Sequence, residues 1–313
     1  MTPAGGRHGR ARAGRRARAA SRAASAPRGM DAAVKDSLAG WAAGAASAVC
    51  AQPCDTVLTR MQAASGTWGG GARAVARHVV GSGGVVALWR GVSAMCAVVP
   101  VQNAALFAGY GVGERAARAL GGRGGADAST TTGLAYVFVG GTVGGVAQSF
   151  IVNPFELVKV AQQQSVDRSG YEAATRLARR VGAGGLLTSG LGATMLRDGL
   201  PHGVWFVAYE WAKANWLSTF HAEGEKTPSP VGSMSCGAFA GTAAWAVGYP
   251  FDTIKTRVQA SAVRGETLSV REATSALVTE RALYRGFSLK LLRTIPSSAV
   301  CFLVYEEAMR LLA

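Results

Sequence analysis

The sequence predicts an all-α membrane protein: six transmembrane helices built from three tandem repeats of about 100 residues with pseudo-threefold symmetry. Three observations carry this. PFDTIKTRVQ at Pro250 is echoed by PCDTVLTRMQ at Pro53 and PFELVKVAQQ at Pro154, with the prolines 101 and 96 residues apart. An uncharged, glycine-rich stretch leads into each copy, and a second apolar stretch with its own proline follows each.

The leading stretches lie between Asp36 and Asp55, Asp127 and Glu156, and Lys226 and Asp252; the second holds 28 residues and the third 25. Both are long enough to cross a bilayer core as a helix. Small residues stand four apart in each, at Gly40 and Gly44, Gly140 and Gly144, and Gly237 and Gly241. That spacing predicts close helix contact in lipid. The second stretches cover 91–113, 190–213 and 286–309, with prolines at Pro100, Pro201 and Pro296. Arg197 and Asp198 interrupt one of them, and Lys290 and Arg293 another. Two spans per repeat give repeats over 31–120, 128–220 and 228–313. The alanine- and glycine-rich composition makes hydropathy alone prone to undercount the spans. Between paired spans lie polar segments, such as Tyr171 to Val181 with Arg176, Arg179 and Arg180, that suit short helices at the membrane surface. WRG at Trp89 and YRG at Tyr284 close two of these segments, and TSG at Thr188 closes the third.

The net charge of +15 includes eight arginines and no acid within residues 1–29. An Arg-, Ala- and Ser-rich start without acids is the composition of an organelle transit peptide, and equally of an upstream extension ahead of Met30. The remaining excess suits loops facing anionic, cardiolipin-like lipid. No nucleic-acid-binding motif accompanies it, and six spans exclude a basic peripheral binder. Cys50, Cys54, Cys96, Cys236 and Cys301 lack metal-site spacing and fall in the spans, as buried free thiols do. The four histidines form no ligand grouping, and no nucleophile, Walker or dinucleotide motif is present. Neither an enzyme nor a cofactor or metal is expected.

The threefold P-x-[DE]-x-x-[KR] pattern, the [WY]-R-G turns and the two spans per repeat closely resemble the mitochondrial carrier family, from about Asp31 to the C-terminus. The resemblance implies a monomeric transporter of small molecules in the mitochondrial inner membrane (peroxisomal and plastid membranes are the alternatives), working by alternating access. Both termini would face the cytoplasm, with the Pro53, Pro154 and Pro250 kinks near the matrix. It further implies a matrix gate in which the acid of one repeat meets the base of the next: Asp55 with Lys159, and Glu156 with Lys255. Asp252 would lack its partner, because the first repeat has Leu58 there; Arg60 is the nearest substitute. Gln62, Gln163 and Gln259 would brace these pairs. On the opposite face the family pattern [YF]-[DE]-x-x-[KR] is kept at Tyr209, Glu210 and Lys213 but eroded at Tyr110 and Tyr305, which leaves Lys213 with Glu306 as the expected cytoplasmic pair.

Charges at membrane depth are costly and mark function. The resemblance makes Ala97, Arg197 and Arg293 the substrate contact points. Arg197 and Asp198 present opposite charges about 100° apart on a helix, a match for a solute carrying both a carboxylate and an amine, with Arg293 holding an anionic group. The stretch MLRDGLPHGVWFVAYEW from Met195, together with Trp245, resembles the amino-acid and carnitine branch. Gln102 stands where basic amino-acid carriers have an acid, beside Asn103, which favours a neutral zwitterion or an acylcarnitine-like solute. The competing readings are a non-transporting receptor, tether or morphology factor on the same scaffold, which would explain the departures at Leu58, Ala161, Gly111 and Glu114, and a carrier of a carboxylate or a nucleotide cofactor.

Overall fold

A computed structural model describes residues 28–63, 71–121, 130–164, 169–220 and 228–312, so the basic N-terminal segment lies outside the described residues. The described residues form α1 (Arg28–Ala63), α2 (Gly71–Gly83), a 3-10 turn (Val85–Trp89), α3 (Val92–Leu120), α4 (Thr131–Gln164), α5 (Gly170–Thr188), α6 (Leu191–Phe220), α7 (Pro230–Arg264), α8 (Val270–Thr279) and α9 (Phe287–Leu312). Each repeat thus contributes two long helices and a short one between them. By length and composition, Val85–Leu120, Thr131–Gln164 and Phe287–Leu312 are apolar enough to cross a membrane. Helices α1, α6 and α7 match them in length, at 36, 30 and 35 residues. They fall short in hydropathy because their windows carry many small or charged residues.

The long helices pack in the order α1–α3–α4–α6–α7, and α9 closes back onto α1. Each long helix contains one internal proline: Pro53, Pro100, Pro154, Pro201, Pro250 and Pro296. Proline removes the N–H that would bond the carbonyl four residues earlier, and in an apolar medium that carbonyl needs another donor. Three of the six are supplied by aromatic side chains of a neighbouring element. Trp89 Nε1 donates to the Val49 carbonyl at 2.9 Å, Trp41 Nε1 to Cys96 at 3.0 Å, and Tyr284 Oη to Ala246 at 3.1 Å. The aromatic residue of the [WY]-R-G turns therefore serves the kink of the preceding span. Thr188, its counterpart in the middle repeat, bonds the Gly184 carbonyl of its own helix instead. Tyr284→Phe, which keeps the ring and removes the donor, is expected to cost about 1 kcal/mol, read as a fall of a few degrees in the unfolding temperature of the detergent-solubilised protein.

The glycine of each turn has a single purpose. Gly91, Gly190 and Gly286 have φ of 86°, 74° and 88°, a left-handed conformation that only glycine adopts without strain, and α3, α6 and α9 each begin at the next residue. The short helices use ordinary caps. Ser269 and Glu272 form a reciprocal capping box at α8, and those hydrogen bonds hold the Glu272 carboxyl below its usual range. Helix α2 buries Val75 and Val79 against Val57 and Met61 of α1, and α8 buries Ala273 and Leu277 against Ile254 and Val258 of α7. These contacts anchor the C-terminal ends of α1 and α7, which converge with that of α4 so that Ala63, Val160 and Ala260 share one cluster.

The glycine stripes behave unequally. In α4, a Cβ at Gly144 would stand 2.5 Å from the Leu106 carbonyl of α3, and Gly141 and Gly145 meet the α6 backbone at His202 and Asp198. Gly44 touches Val99, whereas Gly40, Gly237 and Gly241 have nothing within 4 Å. Close approach of the kind the spacing predicts is confined largely to the middle repeat, whose first helix is sandwiched between two neighbours.

Candidate functional site

Just past the kinks, the polar residues of the three repeats converge. Lys159 Nζ lies 3.1 Å from Asp55 Oδ2, and Lys255 pairs with Glu156. Both expected inter-repeat pairs are thus brought together. The third acid is not bare, as the sequence alone suggested. Asp252, 8 % exposed, has Arg197 Nε at 3.2 Å and Lys290 Nζ at 3.7 Å, cations from α6 and α9 rather than from α1. Arg60 does not reach it; its Nε donates to the Gln163 carbonyl at 2.8 Å. Leu58 is 3 % exposed, with its methyl group against Gly286.

Arg197 and Arg293 prove to be members of the same ion network. Arg197 contacts Asp198, Glu156 (3.5 Å) and Asp252, so its guanidinium fork spans three carboxylates from two repeats. Arg293 Nε stands 3.1 Å from Asp55 Oδ1, at ion-pair distance without hydrogen-bond alignment. This contact links α9 to α1 and completes the ring between the third and first repeats by a route opposite in polarity to the other two.

The glutamines depart from the expected bracing. Only Gln62 approaches an acid, with Nε2 3.5 Å from Asp252 Oδ2 and 3.4 Å from Thr253 Oγ1. Gln163 donates to Thr56 at 3.1 Å and Gln259 to Asn153 at 3.2 Å. Each still joins one repeat to the next, but through a neutral acceptor, because the ammonium groups already occupy the carboxylates. The residue before each of Pro53, Pro154 and Pro250 was not singled out from the sequence and has a shared place. Gln52 donates to the Arg90 carbonyl at 2.6 Å, Asn153 to Leu187 at 2.9 Å and Ser189 at 3.2 Å, and Tyr249 to Arg285 at 2.6 Å. All three tie a kink to the turn that starts the next span.

Two cavities meet at this network. One, of about 270 Å³, is lined by the ring residues together with Gln102, Met95 and Val99. The other, of about 420 Å³, lies farther along α3 and α6 and is walled by Asn103, Leu106, Phe107, Pro201, Trp205 and Phe206. Arg197 and Trp245 line both, whereas Gln102 and Asn103, adjacent in sequence, face different cavities. Asp198 lines the second cavity. It is 0 % exposed, and its Oδ2 has no hydrogen-bond partner among the described residues. His202 Nδ1 donates to the Asp198 carbonyl at 2.6 Å, and Gln148 Nε2 donates to the other ring nitrogen at 3.3 Å.

Toward the opposite end, Lys213 does not meet Glu306. It pairs with Glu210, 3.5 Å away on its own helix, while Glu306 is exposed. Arg118 with Glu114 and Arg310 with Glu307 are likewise contacts within one helix, each at 2.8 Å. Tyr209 stacks on Trp205 at 5.5 Å. The ion network therefore ties the repeats together at the proline end in this conformation, while these charges at the other end remain within their helices.

Three copies of one sequence family profile, described as mitochondrial carrier protein, match residues 30–118, 130–219 and 226–313. The chain belongs to the mitochondrial carrier family. Its curated relatives include the mitochondrial arginine transporter BAC2 of Arabidopsis thaliana, 29% identical over 89% of this chain and 91% of the relative. The mitochondrial glycine transporter YMC1 of Saccharomyces cerevisiae is 30% identical over 89% of this chain and 92% of its own length. The mitochondrial carnitine/acylcarnitine carrier protein of Mus musculus is 29% identical over 89% and 94% respectively. As a family member the chain is a small-molecule carrier. The identities are alike across relatives named for three different solutes, so they do not choose a substrate.

Proposed function

We propose that this carrier moves a small zwitterion with a methylated or otherwise apolar ammonium group across the mitochondrial inner membrane. It would do so by exchange and alternating access, as a monomer without a cofactor, in contact with anionic lipid. The observation that carries the reading is Asp198, fully buried beside a cavity with one carboxylate oxygen unpartnered. A buried carboxylate oxygen without a donor is costly, and a substrate cation relieves that cost.

The surroundings refine the cation. A primary ammonium brings three N–H donors, but the second cavity offers few free acceptors besides Asp198 and Asn103, since both His202 nitrogens are engaged. Its walls include Phe107, Trp205, Phe206 and Trp245. Aromatic faces attract cations without needing hydrogen bonds, and quaternary ammonium groups suit them best. The carboxylate end is supported by a surplus of cations in the network. Lys159, Lys255, Lys290, Arg197 and Arg293 are five cations against the four acids Asp55, Glu156, Asp198 and Asp252. The surplus cation gives one anionic group on the substrate a partner, held by Arg197 or Arg293 in bidentate fashion, while the ammonium end faces Asp198. The relatives named for carnitine, arginine and glycine are all consistent with a substrate bearing both charges.

Following the family's orientation, the proline end faces the matrix, and the conformation described is closed there. Liposomes containing the purified protein and preloaded with carnitine esters, neutral and basic amino acids, dicarboxylates or nucleotides test the proposal. Exchange is expected to be fastest with quaternary-ammonium zwitterions, slower with primary-amine amino acids, and negligible with nucleotides. Preference for dicarboxylates or nucleotides would overturn the zwitterion reading, and preference for primary amines would overturn its methylated-ammonium refinement.

A further inference from the structure

Leu58 breaks the repeated acid-to-base pattern, yet Asp252 is not left alone. Lys290, 6 % exposed on α9, brings its ammonium to 3.7 Å from Asp252 Oδ2, and no other ion pair holds it among the described residues. The same ammonium sits 3.9 Å from the centre of the Trp245 ring. Leu58 fills the place of the absent base with hydrocarbon packed on Gly286, one helical turn before Lys290. From these contacts we propose that Lys290 is the relocated third cation of the gate, displaced from α1 to α9.

The relocation changes what the link does. Asp55–Lys159 and Glu156–Lys255 each join two repeats, whereas Asp252 and Lys290 belong to the same repeat and tie α7 to α9. Attachment of the third repeat to the first falls instead to Arg293 on Asp55 and to Gln62 on Asp252. Lys290 and Arg197, the two cations on Asp252, both line the charged cavity and both face Trp245. A substrate anion in that cavity therefore competes with Asp252 for its own partners. Binding itself weakens the third link, while the two pairs made by Lys159 and Lys255 stay intact until the helices move.

A base at position 58 has the reach to take over. Gln62, one turn along the same face of α1, already brings its amide to 3.5 Å from Asp252, and the long lysine stem can replace the packing of the leucine it substitutes. A four-member comparison of the full chain in detergent decides the assignment: wild type, Lys290→Met, Leu58→Lys, and both together, each followed by thermal unfolding without substrate. Lys290→Met is expected to lower the unfolding temperature by about 5–10 °C, since it leaves buried Asp252 with Arg197 alone, a cation that Glu156 and Asp198 also share. Leu58→Lys alone is also expected to lower it, because two ammonium groups then crowd one carboxylate. The double variant should return to within a few degrees of wild type. Losses that simply add would show that Lys290 and position 58 do not share a role and would overturn the proposal.

Exchange of L-carnitine in liposomes by the same four proteins supplies a readout that stability alone does not move. The apparent affinity is expected to weaken several-fold in Lys290→Met. In the double variant the maximal rate should recover while the affinity does not, because the cation now stands on α1 and no longer faces Trp245. Recovery of both would overturn the role in substrate competition. The competition argument rests on the zwitterion reading. Absence of L-carnitine exchange in the wild type would count against that reading and the competition, whereas the unfolding comparison judges the relocated cation by itself.

Discussion

Asp198→Asn is expected to reduce zwitterion exchange by one to two orders of magnitude while leaving the fold in place. The substitution keeps the shape of the side chain and an oxygen that can still accept from Arg197. What it removes is the negative charge beside the aromatic cavity. A hydrogen bond or contact to a charged group is worth about 1.5–3 kcal/mol, or roughly 10- to 150-fold in rate or affinity. The ion network then contains five cations and three acids, so a solute bearing a carboxylate and no ammonium should lose far less than a zwitterion. Uptake of labelled carnitine or a neutral amino acid beside a simple monocarboxylate, by wild type and variant in the same liposomes, measures the difference. Zwitterion exchange within about threefold of wild type would remove Asp198 from the substrate site. The unfolding temperature serves as the control, and a smaller fall than for Glu156→Gln is expected, because the amide oxygen can still accept from Arg197, which keeps Glu156 and Asp252 as charged partners.

How much of this was legible beforehand depends on what kind of residue performs each task. The six long helices and three short ones follow from the repeated prolines and the uncharged stretches, since neither signal depends on neighbours distant in sequence. Asp55 with Lys159 and Glu156 with Lys255 follow because the repeat places the same chemistry at the same step. The replacement for Leu58 could not be read that way. Lys290 stands in a different span, and only folding brings it to Asp252, so it looked like an interruption of an apolar run. The residues before the kink prolines illustrate the converse. Gln52, Asn153 and Tyr249 share one task with three different side chains, and a motif search sees no repetition there. A usable signal existed all the same: a polar group directly before Pro53, Pro154 or Pro250, deep in an uncharged span, must find a partner. The expected Lys213–Glu306 contact fails because Lys213 finds Glu210 on its own helix while Glu306 is exposed, a choice of partner that a pairing rule between repeats does not contain.

The largest loss of stability is expected from Glu156→Gln, and its contrast with Lys255→Met tests how the network distributes charge. Both members of this pair are buried, at 7 % and 3 % exposure, where breaking an ion pair from one side costs about 3–5 kcal/mol. The two truncations are nevertheless unequal. Removing the Lys255 ammonium leaves Glu156 with Arg197 Nη2 at 3.5 Å, so the carboxylate retains a cation. Removing the Glu156 charge takes from Lys255 its paired acid and leaves it near that same guanidinium, a like charge that burial makes harder to screen. Glu156→Gln should therefore lower the unfolding temperature by about 10 °C, and Lys255→Met by roughly half as much. The double variant replaces an ion pair by a neutral amide and an apolar chain of similar size, an exchange that often restores stability. It should unfold close to wild type, yet exchange solute slowly, because only Arg197 on Asp252 is then left as an attraction between the second and third repeats that can be made and broken. Equal losses from the two single variants would mean that Arg197 does not support Glu156, and a double variant with full exchange would show that this pair holds the fold together without gating transport.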